Sequence, residues 1–242
     1  MVVQGMGGIM SVTGHPGTPP TRIGMSIGDI GSGLYATIGV QAALFHRQLT
    51  GEATKVDIGM LDCQLALLEN AVMRYQVSGT APGPLGARHP SITPFEAYKT
   101  KDGYIIISAG NDGLFAKLAE ALENPGWAEN PDYSSNDNRN KHVEKLKIEM
   151  ESVLTTHTTS HWIEVLDKFG VPSGPINDIG QAATHPQTIA RNMIVSVDDP
   201  ITGPMKVAGN PIKISGFEDP ETRDPAPNLD QNREEILREL SD

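Results

Sequence analysis

The spacing of apolar residues predicts two long helices in the first third of the chain. The first helix begins near Asp29, carries an apolar side chain about every 3.6 residues and ends in a basic turn before Gly51. Its periodic positions are Leu34, Ile38, Gln41/Ala42 and Phe45. A second helix is predicted over 61–75, with an apolar face made of Leu61, Leu65, Leu68 and Val72. A short β-like segment over 55–58 lies between the two helices.

The pattern changes at a stretch rich in Pro and Gly. Residues 78–94 hold four Pro and three Gly, a composition typical of an extended linker. Beyond it, two β-like runs at 95–100 and 104–108 flank Lys101-Asp102-Gly103 and predict a β-hairpin. Three helical patterns follow: 114–122, 143–153, and one from Ser160 that turns Phe169 inward and ends at Gly170.

The last part of the chain alternates between loops and short elements. Short apolar runs predict strands at 194–197, 205–207 and 212–214. A final short helix has Ile236, Leu237 and Leu240 as its apolar side chains. The patterns together predict four parts: 1–75, a linker over 76–94, a small α+β domain over 95–185, and a return linker with the C-terminal helix over 186–242.

Composition and charge narrow the possible partners. The chain has 30 acidic and 19 basic residues, a formal charge of −11, and no run rich in Lys or Arg. We therefore expect neither nucleic acid nor a membrane surface as a partner. No apolar run reaches the roughly 20 residues of a membrane span, and the N-terminus lacks the features of a signal peptide. A cytoplasmic protein is expected, with Cys63, the only cysteine, in a buried structural role.

The sequence shows no metal-binding pattern and no common nucleotide-binding motif. The seven histidines show no metal-ligand pattern, because His157 and His161 have helical spacing but lie in a polar turn, where a capping or surface role is expected. No Walker A or G-x-G-x-x-G sequence is found. We predict no metal site.

Asp29 is the candidate for chemistry. It lies in Gly28-Asp29-Ile30-Gly31-Ser32-Gly33, where the first long helix begins. One interpretation is a helix N-cap, worth about 1 kcal/mol. The other is a nucleophilic carboxylate: small neighbours admit a bulky reactant, and the helix N-terminus favours negative charge on a nearby oxygen. The residues alone leave both open.

Four stretches, in order along nearly the whole chain, resemble the family III CoA-transferases. They are QGMGGIMSVTG at 4–14; the run from Gly28-Asp29 through AALFHR at 42–47 and Thr50-Gly51 to VDI at 56–58 and Leu61-Asp62; HPSITPF at 89–95 with Asp102-Gly103; and GVPSGPIN at 170–177, followed by HPQ at 185–187 and ARNM at 190–193. Each stretch alone is a weak signal, and together they are specific.

The resemblance implies an α/β fold. It predicts the C-terminal part of a large Rossmann-like domain followed by a small α+β domain, in a family that forms interlocked, ring-like dimers.

The resemblance also implies the roles of site residues. It implies that Asp29 attacks an acyl-CoA thioester, that Gly28, Gly31 and Gly33 allow the thioester to approach, and that a small carboxylic acid accepts CoA. Arg88 and His89 are candidates to contact that acid. Coenzyme A enters as substrate, with no permanently bound cofactor.

Three other aspartates are expected to have structural roles. Asp57 and Asp62 are interpreted as structural residues, and Asp112 is predicted to cap a helix.

Two alternatives stay open beside this interpretation. A relative of α-methylacyl-CoA racemase would use the aspartate as an acid/base, together with a His from an N-terminal half that this chain lacks. A non-catalytic fragment would act only with a separate N-terminal chain. We therefore expect either a homodimer or a complex with such a chain.

Overall fold

The computed structural model describes residues 1–241, which form two compact units, residues 1–175 and residues 176–241. Both helices and small sheets are present, so the architecture is mixed α/β. The domain boundaries expected from the sequence stay predictions. No helix within the described part of the chain is long and apolar enough to cross a membrane.

The first unit opens with helices. They are α1 (Val2–Met6), α2 (Ile9–Val12), α3 (Ile27–Thr50), α4 (Met60–Leu67) and α5 (Glu69–Ser78). Helix α3 ends where Gly51 adopts a left-handed conformation, with φ of 80°, and donates its N–H to the Arg47 carbonyl. The predicted strand over 55–58 is not formed, and the helix predicted over 61–75 divides at Leu68, which has φ −100° and ψ 28°.

A three-stranded antiparallel sheet and five helices complete this unit. The strands are β1 (Phe95–Lys99), β2 (Tyr104–Ser108) and β3 (Ser173–Pro175), in the order β1-β2-β3. The helices are α6 (Asp112–Ala121), α7 (Gly126–Glu129), α8 (Asn136–Lys141), α9 (Val143–Leu154) and α10 (Thr159–Lys168). The hairpin and the three predicted helices are confirmed, whereas β3, α7 and α8 were not predicted.

The hydrophobic core lies between this sheet and helices α6, α9 and α10. Ile105 and Ile107 alternate into it from β2, as the period of two for a strand requires. The Trp162 indole N–H donates to the Leu154 carbonyl at 2.7 Å, which ties α10 to the end of α9. Phe169 was predicted to face inward, but it is 38% exposed because α10 ends at Lys168 and leaves this residue at the helix C-cap.

The second unit is smaller. It contains α11 (Ile179–Thr184), α12 (Pro186–Ala190), β4 (Ile194–Asp199), β5 (Gly203–Ala208), β6 (Thr222–Arg223) and α13 (Arg233–Glu239). Strand β4 pairs with β5 in antiparallel and with β6 in parallel orientation. The strand predicted over 212–214 is not formed, since its residues follow a turn set by Asn210, whose side chain accepts from the Ile212 N–H at 3.0 Å.

The apolar face predicted for α3 is exposed in the described part of the chain. Leu34, Ile38 and Phe45 have 62%, 63% and 63% of their surface accessible. Single exposed apolar side chains are ordinary, but a contiguous apolar helix face is a feature of surfaces that bind other polypeptides.

Candidate active site

Asp29 lies in the first turn of α3 with its carboxylate exposed. Ser26 occupies the N-cap position, so Asp29 is the third residue of the helix and the N-cap interpretation is wrong. Within residues 1–241 its side chain makes no hydrogen bond or ion pair. The Asp29 and Ile30 N–H groups both donate to the Ser26 carbonyl, at 3.1 and 3.0 Å. This places a free carboxylate where a helix N-terminus favours negative charge.

The glycines around Asp29 divide into two kinds. A Cβ on Gly28 would lie 2.7 Å from Val3 Cγ1, and one on Gly31 would lie 3.0 Å from Leu67 Cδ1. Both glycines are buried, and they allow α3 to approach α1 and α4 closely. Gly33 is exposed, with no atom within 4 Å of its Cβ position. Only Gly33, among the three, leaves open space beside the helix.

Two glutamines lie near this turn of α3. Gln4, on α1, accepts from the Ile23 N–H at 3.1 Å, which holds the segment leading into α3. Gln64, on α4, is fully buried, with its Nε2 4.0 Å from the Cβ position of Gly31. Neither polar atom of the Gln64 amide has a hydrogen-bond partner within the described residues. Gln64 was not predicted as a site residue, although a polar residue in an apolar helical stretch was the available signal.

The segment that carries Arg88 and His89 is fastened to α8. Asn136 and Asn140 both donate to the Ser91 carbonyl, at 2.9 and 2.7 Å. Arg139, fully buried, donates to the Thr93 carbonyl at 2.7 Å, to the Tyr133 carbonyl at 2.8 Å and to the Asp112 carboxylate at 2.7 Å. These bonds fix the backbone that follows His89.

His89 is held on two sides. Its backbone N–H donates to the Phe95 carbonyl at 2.9 Å, and its ring stands edge-on to Phe95 with centroids 5.2 Å apart. Nδ1 accepts from the Ser91 N–H at 3.2 Å. Because Nδ1 accepts, a neutral His89 carries its proton on Nε2, which can then donate to a ligand.

Arg88 lies in the segment between α5 and β1. It lines a cavity of about 230 Å³ together with Leu67, the side chain that packs against Gly31. Its charge also reaches Tyr98 on β1: burial raises the pKa of Tyr98 well above its usual value, and Arg88 opposes that rise. His89 does not line this cavity. The link of the cavity to α3 is Leu67, which packs on Gly31, and Asp29 lies two residues earlier, on a different side of the helix.

The other sequence expectations have mixed outcomes. Asp112 is not the helix cap, because Asn111 takes that position and accepts from the Leu114 N–H at 2.9 Å, while Asp112 pairs with Arg139. Cys63 is buried, as predicted. Asp57 forms an exposed ion pair with Lys55 at 3.7 Å.

The histidine pair and the acidic residues form no cluster for a metal. His157 and His161 stack with ring centroids 4.2 Å apart. Over residues 1–241, no group of three or more His, Cys, Asp or Glu side chains could hold a metal ion.

A mixed α/β chain with a free aspartate in the first turn of a long helix matches a known family along nearly its whole length. The model of CoA-transferase family III matches residues 1–233. The chain belongs to this family.

Proteins similar to this chain include named enzymes. It is 38% identical to acetyl-CoA:oxalate CoA-transferase of Acetobacter aceti, covering 99% of this chain and 61% of the relative. It is 35% identical to succinate–glutarate CoA-transferase of Agrobacterium fabrum, covering 99% of this chain and 60% of the relative. The chain therefore spans about 60% of the length of these curated relatives.

A solved structure supports the fold. The crystal structure of a CAIB/BAIF family protein from Brucella suis superposes with a TM-score of 0.78 at 35% identity, covering 98% of this chain and 61% of that one. These comparisons do not favour the racemase-like alternative.

Proposed function

We propose that the chain moves CoA from an acyl-CoA donor to a carboxylic acid, with Asp29 as the nucleophile. Membership of CoA-transferase family III supports the reaction class. The observation that carries the role of Asp29 is its exposed carboxylate, without a partner in residues 1–241, in the first turn of α3. A carboxylate is a suitable nucleophile when the leaving group is a thiolate and the product is a short-lived anhydride.

The proposed reaction has four balanced steps. Asp29 attacks the donor thioester, giving a mixed anhydride and CoA thiolate. The thiolate attacks the aspartyl carbonyl, giving an aspartyl-CoA thioester and free donor acid. The acceptor carboxylate then attacks that thioester, forming a new anhydride and CoA thiolate. The thiolate finally takes the acceptor acyl group and releases the Asp29 carboxylate.

Backbone geometry at the start of α3 supports these steps. Negative charge develops on the carbonyl oxygen at each attack, and a helix N-terminus stabilises such charge. The Gly28 N–H has no acceptor within residues 1–241 and could donate to that oxygen. Gly33 leaves room for the thioester, whereas Gly28 and Gly31 set the backbone beneath it. We keep all three in the proposed CoA site, in these different roles.

Arg88 and His89 are proposed to contact the acceptor acid. A guanidinium binds a carboxylate with two parallel hydrogen bonds, and His89 Nε2 can donate a third. The two relatives are named for oxalate, succinate and glutarate, all dicarboxylic acids. We propose a small dicarboxylic acceptor, with CoA thioester as substrate and no permanently bound cofactor.

The partner is proposed to be another polypeptide. The exposed apolar face of α3 supports either a homodimer or a complex with a separate N-terminal chain. Within the family, an interlocked dimer is the arrangement to test.

Turnover in matched variants tests the role of Asp29. Asp62 is also the third residue of its helix and exposed, so Asp62→Ala is the matched control for Asp29→Ala. With succinyl-CoA and glutarate, we expect Asp29→Ala to abolish formation of glutaryl-CoA, measured by liquid chromatography, and Asp62→Ala to retain it. Equal activity of wild type and Asp29→Ala would overturn the proposal.

A further inference from the structure

We propose that Asn136 and Asn140, two asparagines of α8, are positioning residues for His89. They hold the Ser91 backbone where its N–H fixes the imidazole ring, which leaves the Nε2 proton of His89 to donate to the acceptor carboxylate. This inference rests on the proposed function, because it names the residues that set a hydrogen-bond donor of the acceptor site. No sequence signal singled out either asparagine.

Both asparagines bind the same short segment. Asn136 and Asn140 are four residues apart in α8, so their side chains lie on one face of the helix. Each donates from Nδ2 to the Ser91 carbonyl, at 2.9 and 2.7 Å. Asn136 also accepts from the Thr93 N–H at 3.1 Å, and Asn140 accepts from the Thr93 hydroxyl at 2.6 Å. The two amides thus make four hydrogen bonds to residues 91–93.

These bonds allow one orientation of each amide. A backbone carbonyl only accepts, so the Nδ2 groups of Asn136 and Asn140 must face Ser91, and their Oδ1 atoms are left to accept from Thr93. Thr93 is 1% exposed, and a buried donor that loses its acceptor is unfavourable. The segment is therefore held in one position against α8.

The Ser91 N–H carries this constraint to the ring of His89. It donates to Nδ1 at 3.2 Å, which requires an unprotonated Nδ1 and places the proton of the neutral ring on Nε2. Phe95 holds the ring from a second side, edge-on, with ring centroids 5.2 Å apart. Nε2 has no hydrogen-bond partner within residues 1–241, so its proton can be donated to a bound carboxylate.

The other end of this part of the chain is held as well. The Gly86 N–H donates to the Gly14 carbonyl at 2.8 Å. Gly86 has a φ of 66°, and a Cβ there would lie 2.8 Å from His15 Nδ1, so only glycine fits this contact. His89 therefore lies between two fixed points in a stretch whose composition predicts a flexible linker. A donor that must meet a carboxylate at a set position needs such fixation, whereas a simple connection does not.

The tautomer of His89 tests the proposal directly. Asn140→Asp replaces the Nδ2 donor with a carboxylate oxygen that repels the Ser91 carbonyl, while it keeps the size of the side chain and the acceptor for Thr93. Asn138→Asp is the matched control, because Asn138 is a half-buried residue of the same helix whose Nδ2 donates to the Pro131 carbonyl at 2.9 Å.

Nitrogen-15 NMR of the full chain, labelled at histidine, reports which ring nitrogen carries the proton, and the spectrum of His89→Gln assigns the signal. We expect the Nε2–H form in wild type and in Asn138→Asp, and a mixture of both tautomers in Asn140→Asp. Folding of each variant is checked by circular dichroism. Asn140→Ala carries the test if Asn140→Asp does not fold, because it removes the donor without adding a charge.

Steady-state kinetics test whether the effect passes through the ring. With succinyl-CoA as donor, we expect the KM for glutarate to rise about tenfold in Asn140→Asp, and the KM for succinyl-CoA to change by less than about twofold. In a His89→Ala background, Asn140→Asp should cause no further rise in the glutarate KM, because the ring that it positions is absent.

Three results would overturn the proposal: a wild-type His89 without the Nε2–H form, an unchanged tautomer in folded Asn140→Asp, or an equal loss of the Nε2–H form in Asn138→Asp. The NMR measurement needs no substrate, which separates this inference from the proposed function. Loss of the Nε2–H form in Asn140→Asp alone supports the positioning role even if Asp29 forms no covalent intermediate. A covalent intermediate on Asp29 together with an unchanged His89 tautomer in Asn140→Asp contradicts the positioning role alone.

Discussion

At the scale of single residues, two of the glycines near Asp29 should respond in opposite ways to substitution by alanine. Gly33→Ala adds a methyl group in open space inside a helix, so we expect the free energy of unfolding to rise by about 0.5–1 kcal/mol. Gly28→Ala places its methyl group 2.7 Å from Val3 and should destabilise the chain. Chemical denaturation measures both.

The transferase activity of Gly33→Ala tests whether the thioester approaches the enzyme over this glycine. If the thioester lies over Gly33, Gly33→Ala should lower kcat/KM although it stabilises the fold. A stabilised and fully active Gly33→Ala would contradict the proposed role of this glycine.

Gln64 gives a second residue-scale prediction. Its buried amide has no partner within residues 1–241, and an unsatisfied buried polar group costs about 1–3 kcal/mol. We expect Gln64→Met, of similar size, to raise the midpoint of thermal unfolding. Gln4→Met is the control and should lower the midpoint, because the Gln4 amide is hydrogen-bonded. A lower midpoint for Gln64→Met would show that a partner satisfies this amide in solution.

At the scale of elements, Arg139 fastens α8 to the segment after His89. Arg139→Met removes the donors to two buried carbonyls, so we expect a loss of about 2 kcal/mol or more in the free energy of unfolding. Lys141→Met, at an exposed position of the same helix, should have little effect. Equal stability of the two variants, measured by urea unfolding, would contradict this role.

The β1–β2 turn is tied to α10 in a pH-dependent way. Asp102 accepts from the Thr159 N–H at 2.8 Å, and that bond is the main cause of its lowered pKa. A lowered pKa in the folded state stabilises the chain above the unfolded pKa of about 3.9, and this contribution is lost as pH falls through the folded pKa. We expect the stability difference between wild type and Asp102→Asn to be constant at neutral pH and to shrink below about pH 4. A difference that grows toward acid would contradict this sign.

Local patterns identified the elements whose partners are near in sequence. The hairpin was predictable because alternating residues and the Asp102-Gly103 turn are neighbours. The break at Leu68 and the strand β3 were not, since both depend on distant packing. The same distinction applies to the site: Asp29 is recognisable from its own surroundings. Arg139 acts through partners elsewhere in the chain, which no local pattern reveals.

At the scale of the whole molecule, the exposed face of α3 predicts association. Apolar side chains that no described residue covers favour contact with another polypeptide, and we expect a second copy of the chain to bind there. Sedimentation velocity should show a mass that rises with concentration. Ile38→Lys should reduce that association, whereas Ile148→Lys, an exposed apolar position on α9, should not. A monomer at all concentrations would contradict the prediction.

The most direct test of the central claim is to trap the covalent intermediate on Asp29. The chain is mixed with succinyl-CoA, quenched with hydroxylamine, digested and analysed by mass spectrometry, alongside Asp29→Ala and Asp62→Ala. We predict a hydroxamate at Asp29 in wild type and in Asp62→Ala, because hydroxylamine attacks the aspartyl anhydride or thioester. The Asp29→Ala variant should carry no modification. A hydroxamate at another residue that persists in Asp29→Ala would contradict nucleophilic catalysis by Asp29.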